Sequence, residues 1–216
     1  LLGPPLKNGF HPGQLFTLRL TATYPELSGL LLAAAQPGGD LAPGAEVELD
    51  YFPFRVHSGA AEPSVSPWAA QTSYPEMSAP YLVGARTPDR RVTLAFSSPV
   101  TFKSGGKHMP LPLPELVFGS LLNQWNAFAP IAFPEELRRY AQECLAISRY
   151  KLSSRVVPLE GQSRRMGGVG EITFTTLDYD RYWMSLIHTL ANFALYAGVG
   201  AGTAMGLGQC RKVPGD

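Results

Sequence analysis

Apolar residues recur most regularly in the second half of the chain. Between Asp180 and Ala197 they are spaced three and four residues apart, which predicts a helix with one buried face. The other predicted elements are a strand, two helices, the two strands of a hairpin that turns at Gly161, and a last strand. These elements are Arg91–Phe102, Glu115–Phe128, Glu135–Leu145, Ile147–Leu159, Met166–Leu177 and Gln209–Val213.

This order of elements predicts the α+β class. Strand, helix, strand, strand, helix, strand is the ferredoxin-like (RRM-like) arrangement. We therefore predict one such domain over residues 91–216, with a domain boundary near Arg90. Residues 1–90 are interpreted as the C-terminal part of a first ferredoxin-like domain, incomplete at its N-terminus, plus a connection. The abrupt start at Leu1, with no initiating Met, fits that interpretation.

The first half of the chain carries weaker patterns. Alternation from Gln14 to Ala22 predicts a half-buried strand. Pro25 to about Ala35 predicts a short helix that begins at a proline, and Glu46 to Val56 predicts an edge strand interrupted by proline. Residues 58–88 are rich in Pro, Ser, Ala and Gly, which predicts a long connection with at most a short helix at Ser73–Leu82.

Composition limits the class of partner. The 216 residues are 45% hydrophobic, and Lys+Arg 18 against Asp+Glu 17 leaves a net charge of +1, so a basic surface must be local. Cys144 and Cys210 are far apart and have no metal-ligand spacing around them, which predicts neither a disulfide framework nor a metal or cofactor. No apolar run is long enough to span a membrane and no signal peptide is recognised, so we expect a cytoplasmic protein without a membrane partner.

A glycine-rich loop follows the long helix. Its glycines are Gly198, Gly200, Gly202, Gly206 and Gly208. Glycine allows positive φ and close approach of the backbone, and successive N–H groups in such a loop form anion-binding concavities. A P-loop would need a lysine after the glycines, and a dinucleotide-binding fingerprint would follow a strand, so both are excluded. We interpret the loop as backbone held close to another surface, with phosphate as its natural ligand.

Three segments of the second half occur in a characteristic order. They are SSPVTF at residues 97–102, PLPLPELVFGSLLNQWNAF at 110–128 and ANFALYAGVGAGTAMGLGQCRKV at 191–213. In sequence, order and spacing over Arg91–Val213 they resemble the Cas6 family of CRISPR-associated endoribonucleases, which are RAMP-type proteins that cut the precursor of CRISPR RNA.

The resemblance implies tandem ferredoxin-like domains, with RNA held on basic surface and the glycine loop packed close to it. It also implies metal-independent cleavage of CRISPR repeat RNA, in which a 2′-hydroxyl attacks the adjacent phosphate and side chains act as general base and acid. The family's usual catalytic histidine precedes a segment like Leu1-Leu2-Gly3, so the catalytic residue is expected upstream of Leu1. Family loops often carry Lys or Arg where this chain has Ala201 and Gly202, which departs from the pattern.

Two alternatives to the enzyme remain open. The first is a non-catalytic crRNA-binding RAMP-type subunit of a CRISPR effector complex, with other Cas proteins as partners. The second is a ferredoxin-like scaffold with no role in nucleic-acid binding.

Candidate RNA-binding residues concentrate on two predicted hairpins. Arg149, Lys151 and Arg155 share one parity, so a strand places them on one face. The other candidates are Lys103, Lys107, His108, Arg164 and Arg165. Guanidinium groups fork onto phosphate oxygens, which favours a phosphate-binding stripe, although a solvated strand face has the same pattern. None of His11, His57, His108 and His188 stands out as a general base, and Tyr150 is a candidate for base stacking.

Overall fold

A computed structural model describes residues 11–49, 51–84, 86–158 and 164–214. By its contacts the chain divides into two compact units. One runs from Leu20 to Ser73, and the other takes in the residues up to Arg19 and from Tyr74 onwards. The predicted domain boundary near Arg90 stays a prediction.

The unit from Leu20 to Ser73 holds one helix and one hairpin. Helix α1 (Pro25–Ala34) begins at a proline as predicted, because the first turn of a helix needs no N–H at that position. Strands β1 (Glu46–Leu49) and β2 (Phe52–Arg55) pair antiparallel. The prediction of a single strand over Glu46–Val56 is therefore wrong. Tyr51 has a positive φ of 65° and lies in the turn between the two strands.

The strand predicted at Gln14–Ala22 is also wrong. The structure has only an isolated bridge there, at Thr17. Leu15 and Leu18, two apolar members of the predicted alternation, are 72% and 46% exposed. Alternating apolar residues stabilise a strand only where a partner strand and a core cover one face, and these side chains are not covered.

The second unit contains most of the regular structure. Its elements are α2 (Tyr74–Leu82), β3 (Arg91–Val100), β4 (Phe102–Ser104), β5 (Lys107–Met109), α3 (Pro114–Phe128), α4 (Leu137–Cys144), β6 (Leu145–Pro158), β7 (Arg164–Thr176), α5 (Arg181–Ala197), a 3-10 helix (Thr203–Met205) and β8 (Cys210–Val213). The predicted elements of this region are present, with bounds that differ by a few residues. The predicted turn at Gly161 lies outside the described residues.

Four of these strands form an antiparallel sheet in the order β6-β7-β3-β8. The crossover through α3 brings β6 to one edge, and the crossover through α5 brings β8 to the other, which is the ferredoxin-like arrangement. The α+β class and the ferredoxin-like fold of this region are confirmed.

One face of this sheet and the helices form the hydrophobic core. Leu94, Ile172 and Phe174 from the strands are at most 1% exposed. Phe118 of α3 makes an edge contact with Phe174 at 5.5 Å between ring centroids. Asp180 caps the N-terminus of helix α5, because its carboxylate accepts a hydrogen bond from the Trp183 N–H. The helices therefore cover one face of the sheet and leave the other to polar residues.

Candidate nucleic-acid interface

Strands β6 and β7 form a long hairpin whose two faces differ in chemistry. The pairs that define one face are Arg149 with Thr173, Lys151 with Glu171, Arg155 with Gly167 and Val157 with Arg165. Residues paired across an antiparallel ladder point to the same side. Arg149, Lys151, Arg155 and Arg165 therefore share one face, which we name the basic face. Arg164 pairs with Pro158 and lies on the opposite side.

The four cations of the basic face have no ion-pair partner among the described residues. They make no hydrogen bond or ion pair within the part of the chain that the structure describes, whose ion pairs lie elsewhere. Glu171 opposes Lys151 in the ladder without bonding to it. Four unpaired cations on one face repel one another, and a polyanion would relieve that repulsion. This arrangement would suit a phosphate ligand.

The neighbouring strands continue this face with hydroxyl groups. The hydroxyl oxygens of Thr93 and Thr173 are 2.9 Å apart, and Thr175 donates to the Ser148 hydroxyl at 2.6 Å. The register of β3 and β7 gives this face no aromatic side chain among the described residues. Hydroxyl and guanidinium groups bond to sugar and phosphate, whereas base stacking needs rings. The face is suited to a nucleic-acid backbone.

Two arginines that the sequence reasoning missed also belong to this face. Arg91 pairs with Thr175, and Arg211 of β8 pairs with Ala95, which in turn opposes Glu171. The alternation of side chains along β3 would have been enough to predict from the sequence that Arg91 lies on the polar side of that strand. Arg211 could be placed only once the pairing of β8 with β3 was known.

The remaining predicted residues lie on the hairpin of β4 and β5. Lys103 pairs with His108, and Ser104 pairs with Lys107, so Lys103 and His108 share a face and Lys107 lies on the other. All three side chains that we predicted to bind RNA are exposed. The Gly105-Gly106 turn has positive φ at both residues, which suits a tight hairpin.

The two hairpins leave the sheet at the same end. β3 finishes at Val100, opposite Gly168 of β7, which itself pairs with Ser154 of β6. Beyond that level β6 and β7 continue as a two-stranded ribbon. Pro110, directly after β5, also lies against Gly168, because a Cβ there would meet the Pro110 carbonyl oxygen at 2.8 Å. The structure therefore places both sets of cations at one end of the sheet.

The glycine loop packs beside the roots of these hairpins. Its N–H groups donate to the protein: Gly200 to the Ser120 hydroxyl at 2.8 Å, Ala201 to Thr101 O at 2.7 Å, and Gly208 to Pro99 O at 2.9 Å. Val199 N–H donates to Gly208 O at 2.9 Å and closes the loop on itself. These amides are not available to a phosphate. The expectation of closely approaching backbone is met by contacts within the protein.

Positive φ explains the glycines themselves. All five have φ between 63° and 83°. At Gly200 a Cβ would lie 2.4 Å from Thr101 O, and at Gly208 it would lie 1.8 Å from Val199 O. At Gly206 a Cβ would meet nothing within 4 Å. Gly200 and Gly208 are therefore required by both conformation and space, and Gly206 by conformation only.

The four histidines differ in their surroundings, and none is placed as a general base. His11, His57 and His108 are exposed. His188 is buried in α5, with Nε2 2.9 Å from Asp89 O and Nδ1 2.8 Å from Lys212 Nζ. Nδ1 accepts from the ammonium, so Nε2 carries the proton and donates to Asp89 O. Burial, and then Lys212, lower the pKa of His188 to about 4. It is a packed helix residue.

Neither a metal cluster nor a membrane span is found in the described ranges. No group of three or more His, Cys, Asp or Glu side chains within residues 11–49, 51–84, 86–158 and 164–214 could hold a metal ion. Over the same residues, every helix is too short or too polar to cross a bilayer.

Comparison with known proteins identifies relatives of this chain. The family model "CRISPR-associated endoribonuclease Cas6" matches residues 94–210. A protein of that name from Mycobacterium tuberculosis is 30% identical over 132 residues, which are 60% of this chain and 41% of that protein. The alignment with this curated relative thus spans less than half of the relative's length.

Solved structures give the same family. A Cas6 product complex is 31% identical with a TM-score of 0.73, over 89% of this chain and 77% of that chain. A Cas6 substrate mimic complex is 31% identical with a TM-score of 0.72, over 88% of this chain and 76% of that chain. These similarities agree with the predicted α+β fold of tandem ferredoxin-like domains.

Proposed function

Because the chain belongs to the Cas6 family of CRISPR-associated endoribonucleases, we propose that it binds CRISPR repeat RNA and acts in its cleavage to guide RNAs. The observation that carries this proposal is the likeness, over most of this chain, to Cas6 structures that hold a product and a substrate mimic. The basic face and the exposed cations of the β4–β5 hairpin supply the groups that such a substrate needs.

The proposed reaction is an internal displacement at phosphorus. The 2′-hydroxyl oxygen bonds to the adjacent phosphorus, and the bond from that phosphorus to the 5′-oxygen of the next nucleotide breaks. A base takes the proton of the 2′-hydroxyl and an acid protonates the departing oxygen, so the step needs no metal. Cations on the hairpins would hold the phosphates and stabilise the added negative charge. The catalytic residue is proposed to lie upstream of Leu1.

The residues predicted from the sequence to bind RNA keep that role in this proposal. Those on β6 and β7 divide into two groups, because they lie on different faces of the hairpin. Arg149, Lys151, Arg155 and Arg165 would contact one stretch of backbone, because their face is shared. Arg164 would contact RNA only if the ribbon of β6 and β7 is gripped from both sides. Other Cas proteins as partners and a cytoplasmic location are also proposed.

The test is cleavage of end-labelled CRISPR repeat RNA in excess EDTA, with binding measured in parallel. We would compare this chain with a version that carries whatever residues precede Leu1 in its gene. We expect both to bind and the longer version to cut. An RNA with a single 2′-deoxy substitution at the cleaved nucleotide should bind equally and stay intact, because it lacks the attacking oxygen.

Four outcomes would change the proposal. Binding without cutting by both versions would favour the non-catalytic subunit. Cutting that disappears in EDTA, or that persists on the deoxy RNA, would exclude the internal displacement. If neither version of the protein binds repeat RNA, the ferredoxin-like scaffold would be the remaining hypothesis.

A further inference from the structure

Arg19 joins three parts of the second unit that are far apart in sequence. Its Nη1 donates to Gln209 Oε1 at 2.7 Å, and its Nη2 donates to the Leu195 carbonyl oxygen. Leu195 lies in the last turn of α5, before the glycine loop, and Gln209 directly follows the loop. A single guanidinium therefore holds both ends of the glycine loop and fastens the segment of residues 11–19 to them.

Both acceptors are suited to this guanidinium. The last carbonyl groups of a helix have no partner within the helix, and the negative end of its dipole favours a cation. Gln209 is held through its backbone, because its N–H donates to the Ser98 hydroxyl at 2.8 Å and its carbonyl accepts from Ser97 N–H at 2.9 Å. The planar fork of arginine serves two acceptors in fixed directions, which a lysine ammonium does not do.

The contact has consequences beyond the loop, since the loop leads to the RNA-binding hairpins. Ala201 bonds to Thr101 O, and Thr101 directly precedes β4, the strand that carries Lys103. Arg19 is thus connected through the glycine loop to the root of the β4–β5 hairpin. The segment of residues 11–19 gains little from apolar burial, because Leu15 and Leu18 are exposed. Arg19 supplies two side-chain hydrogen bonds that hold this segment, beside the backbone bridge at Thr17.

We infer that Arg19 is a positioning residue for the RNA-cleavage reaction. It fixes the segment of residues 11–19 to the glycine loop, and so sets that segment relative to the cations that hold RNA. The two acceptors of Arg19 described above, Gln209 and the Leu195 carbonyl, are uncharged and lie outside the β4–β5 hairpin. Loss of Arg19 should therefore slow the catalytic step far more than it weakens RNA binding. This inference rests on the proposed function for its kinetic part only.

The first measurement needs no activity. Hydrogen exchange of the full chain is followed by mass spectrometry for the wild type, Arg19→Ala and Arg19→Lys. In Arg19→Ala we expect peptides from residues 198–209 to exchange about tenfold faster, and those from β6 and β7 to be unchanged. Arg19→Lys should fall between the two, because an ammonium keeps one acceptor. Gln209→Leu should reproduce part of the effect, and adding it to Arg19→Ala should add little.

The second measurement separates positioning from binding in the version of the protein that cleaves RNA. We expect Arg19→Ala to lower the single-turnover cleavage rate about tenfold or more, with RNA affinity within about twofold of the wild type, because a small misplacement of reacting groups costs rate. Arg55→Ala removes an exposed arginine from a surface ion pair and serves as a control without expected effect.

The possible outcomes separate a failure of this inference from a failure of the proposed function. Unchanged exchange of the glycine loop in a folded Arg19→Ala would overturn the inference. Faster exchange with a normal cleavage rate, or equal losses of rate and affinity, would also overturn it. A wild-type protein that neither binds nor cuts repeat RNA would refute the proposed function instead, and the exchange data would still report on whether Arg19 fixes the loop.

Discussion

The glycine loop and the basic face use their polar groups in opposite directions. In the loop, N–H groups of Val199, Gly200, Ala201 and Gly208 donate to oxygen atoms of the same protein. On the basic face, four cationic side chains find no partner among the described residues. The loop therefore resembles a piece of core made of backbone, and the hairpin resembles a surface prepared for a ligand.

Because the two regions differ in this way, the effects of substitutions in the glycine loop and on the basic face should appear in different measurements. A change in the loop disturbs bonds that already exist in the free protein, so it should appear in the free energy of unfolding. A change on the basic face removes charges that repel one another in the free protein, so it should appear in RNA affinity and in its salt dependence. The contrast fails if loop variants lose RNA binding while keeping full stability.

The largest effect should come from a glycine with positive φ at which a Cβ would meet backbone atoms. Gly200→Ala should lower the free energy of unfolding by more than about 3 kcal/mol, because it adds a positive-φ penalty to a clash with a backbone carbonyl. Gly206→Ala has nearly the same φ and open space, so it should cost about 1 kcal/mol. Urea unfolding of both variants measures the difference. Equal costs would mean that the close contact of Gly200 with Thr101 O does not constrain the loop.

The next effect concerns the basic face. Arg149→Glu combined with Arg155→Glu should weaken repeat-RNA binding about 100-fold and reduce the slope of log affinity against log salt by about 1.5, because two phosphate contacts are lost. Filter binding over a salt series measures both quantities. Unfolding in urea should be unaffected or slightly improved.

A matched control carries the same change in charge on the helical side of the sheet. Arg139→Glu combined with Arg181→Glu alters two exposed arginines of α4 and α5. This control should bind RNA with nearly unchanged salt slope. If both double variants weaken binding alike, net charge decides affinity and the basic face is not a defined site.

A smaller effect concerns the buried His188 and the dependence of the free energy of unfolding on pH. His188 has a folded-state pKa of about 4 against its usual 6.5, so between these values the unfolded chain binds a proton that the folded chain does not. Stability is then full above pH 6.5 and falls as pH drops towards 4, by about 2 kcal/mol between pH 7 and pH 5. Urea unfolding at both pH values measures this loss. His188→Gln should show a smaller loss over the same interval, and an unchanged loss would assign it to other groups.

The elements of the second half could be predicted because long periodic patterns there coincide with a real core. The first half misled the same reasoning. Residues 14–22 alternate but have no partner strand in the part of the chain that the structure describes, and no glycine marks the turn at Tyr51 in the sequence. A pattern records which residues can be covered, and only the tertiary structure decides whether anything covers them.

The candidate site was predictable to a similar extent. Parity placed Arg149, Lys151 and Arg155 on one face, because it acts within a single strand. Parity puts the consecutive residues Arg164 and Arg165 on opposite faces, but it could not say which of them joins the face of Arg149, since that depends on the register between two strands. Nor could it find the acceptors of the glycine loop, Pro99, Thr101 and Ser120, which lie 80 residues or more earlier in the chain.

The position of β8 in the sheet has a consequence for folding during synthesis on the ribosome. β3 is an inner strand, and one of its two edges pairs with residues 210–213, which are made more than a hundred residues after it. During synthesis the ribosome therefore exposes β3, α3 and α5 before the strand that completes their sheet can leave the exit tunnel. Such long-range pairing is slow and leaves apolar surface open meanwhile. Truncations that remove only the last strand should be captured by chaperones rather than released as folded domains.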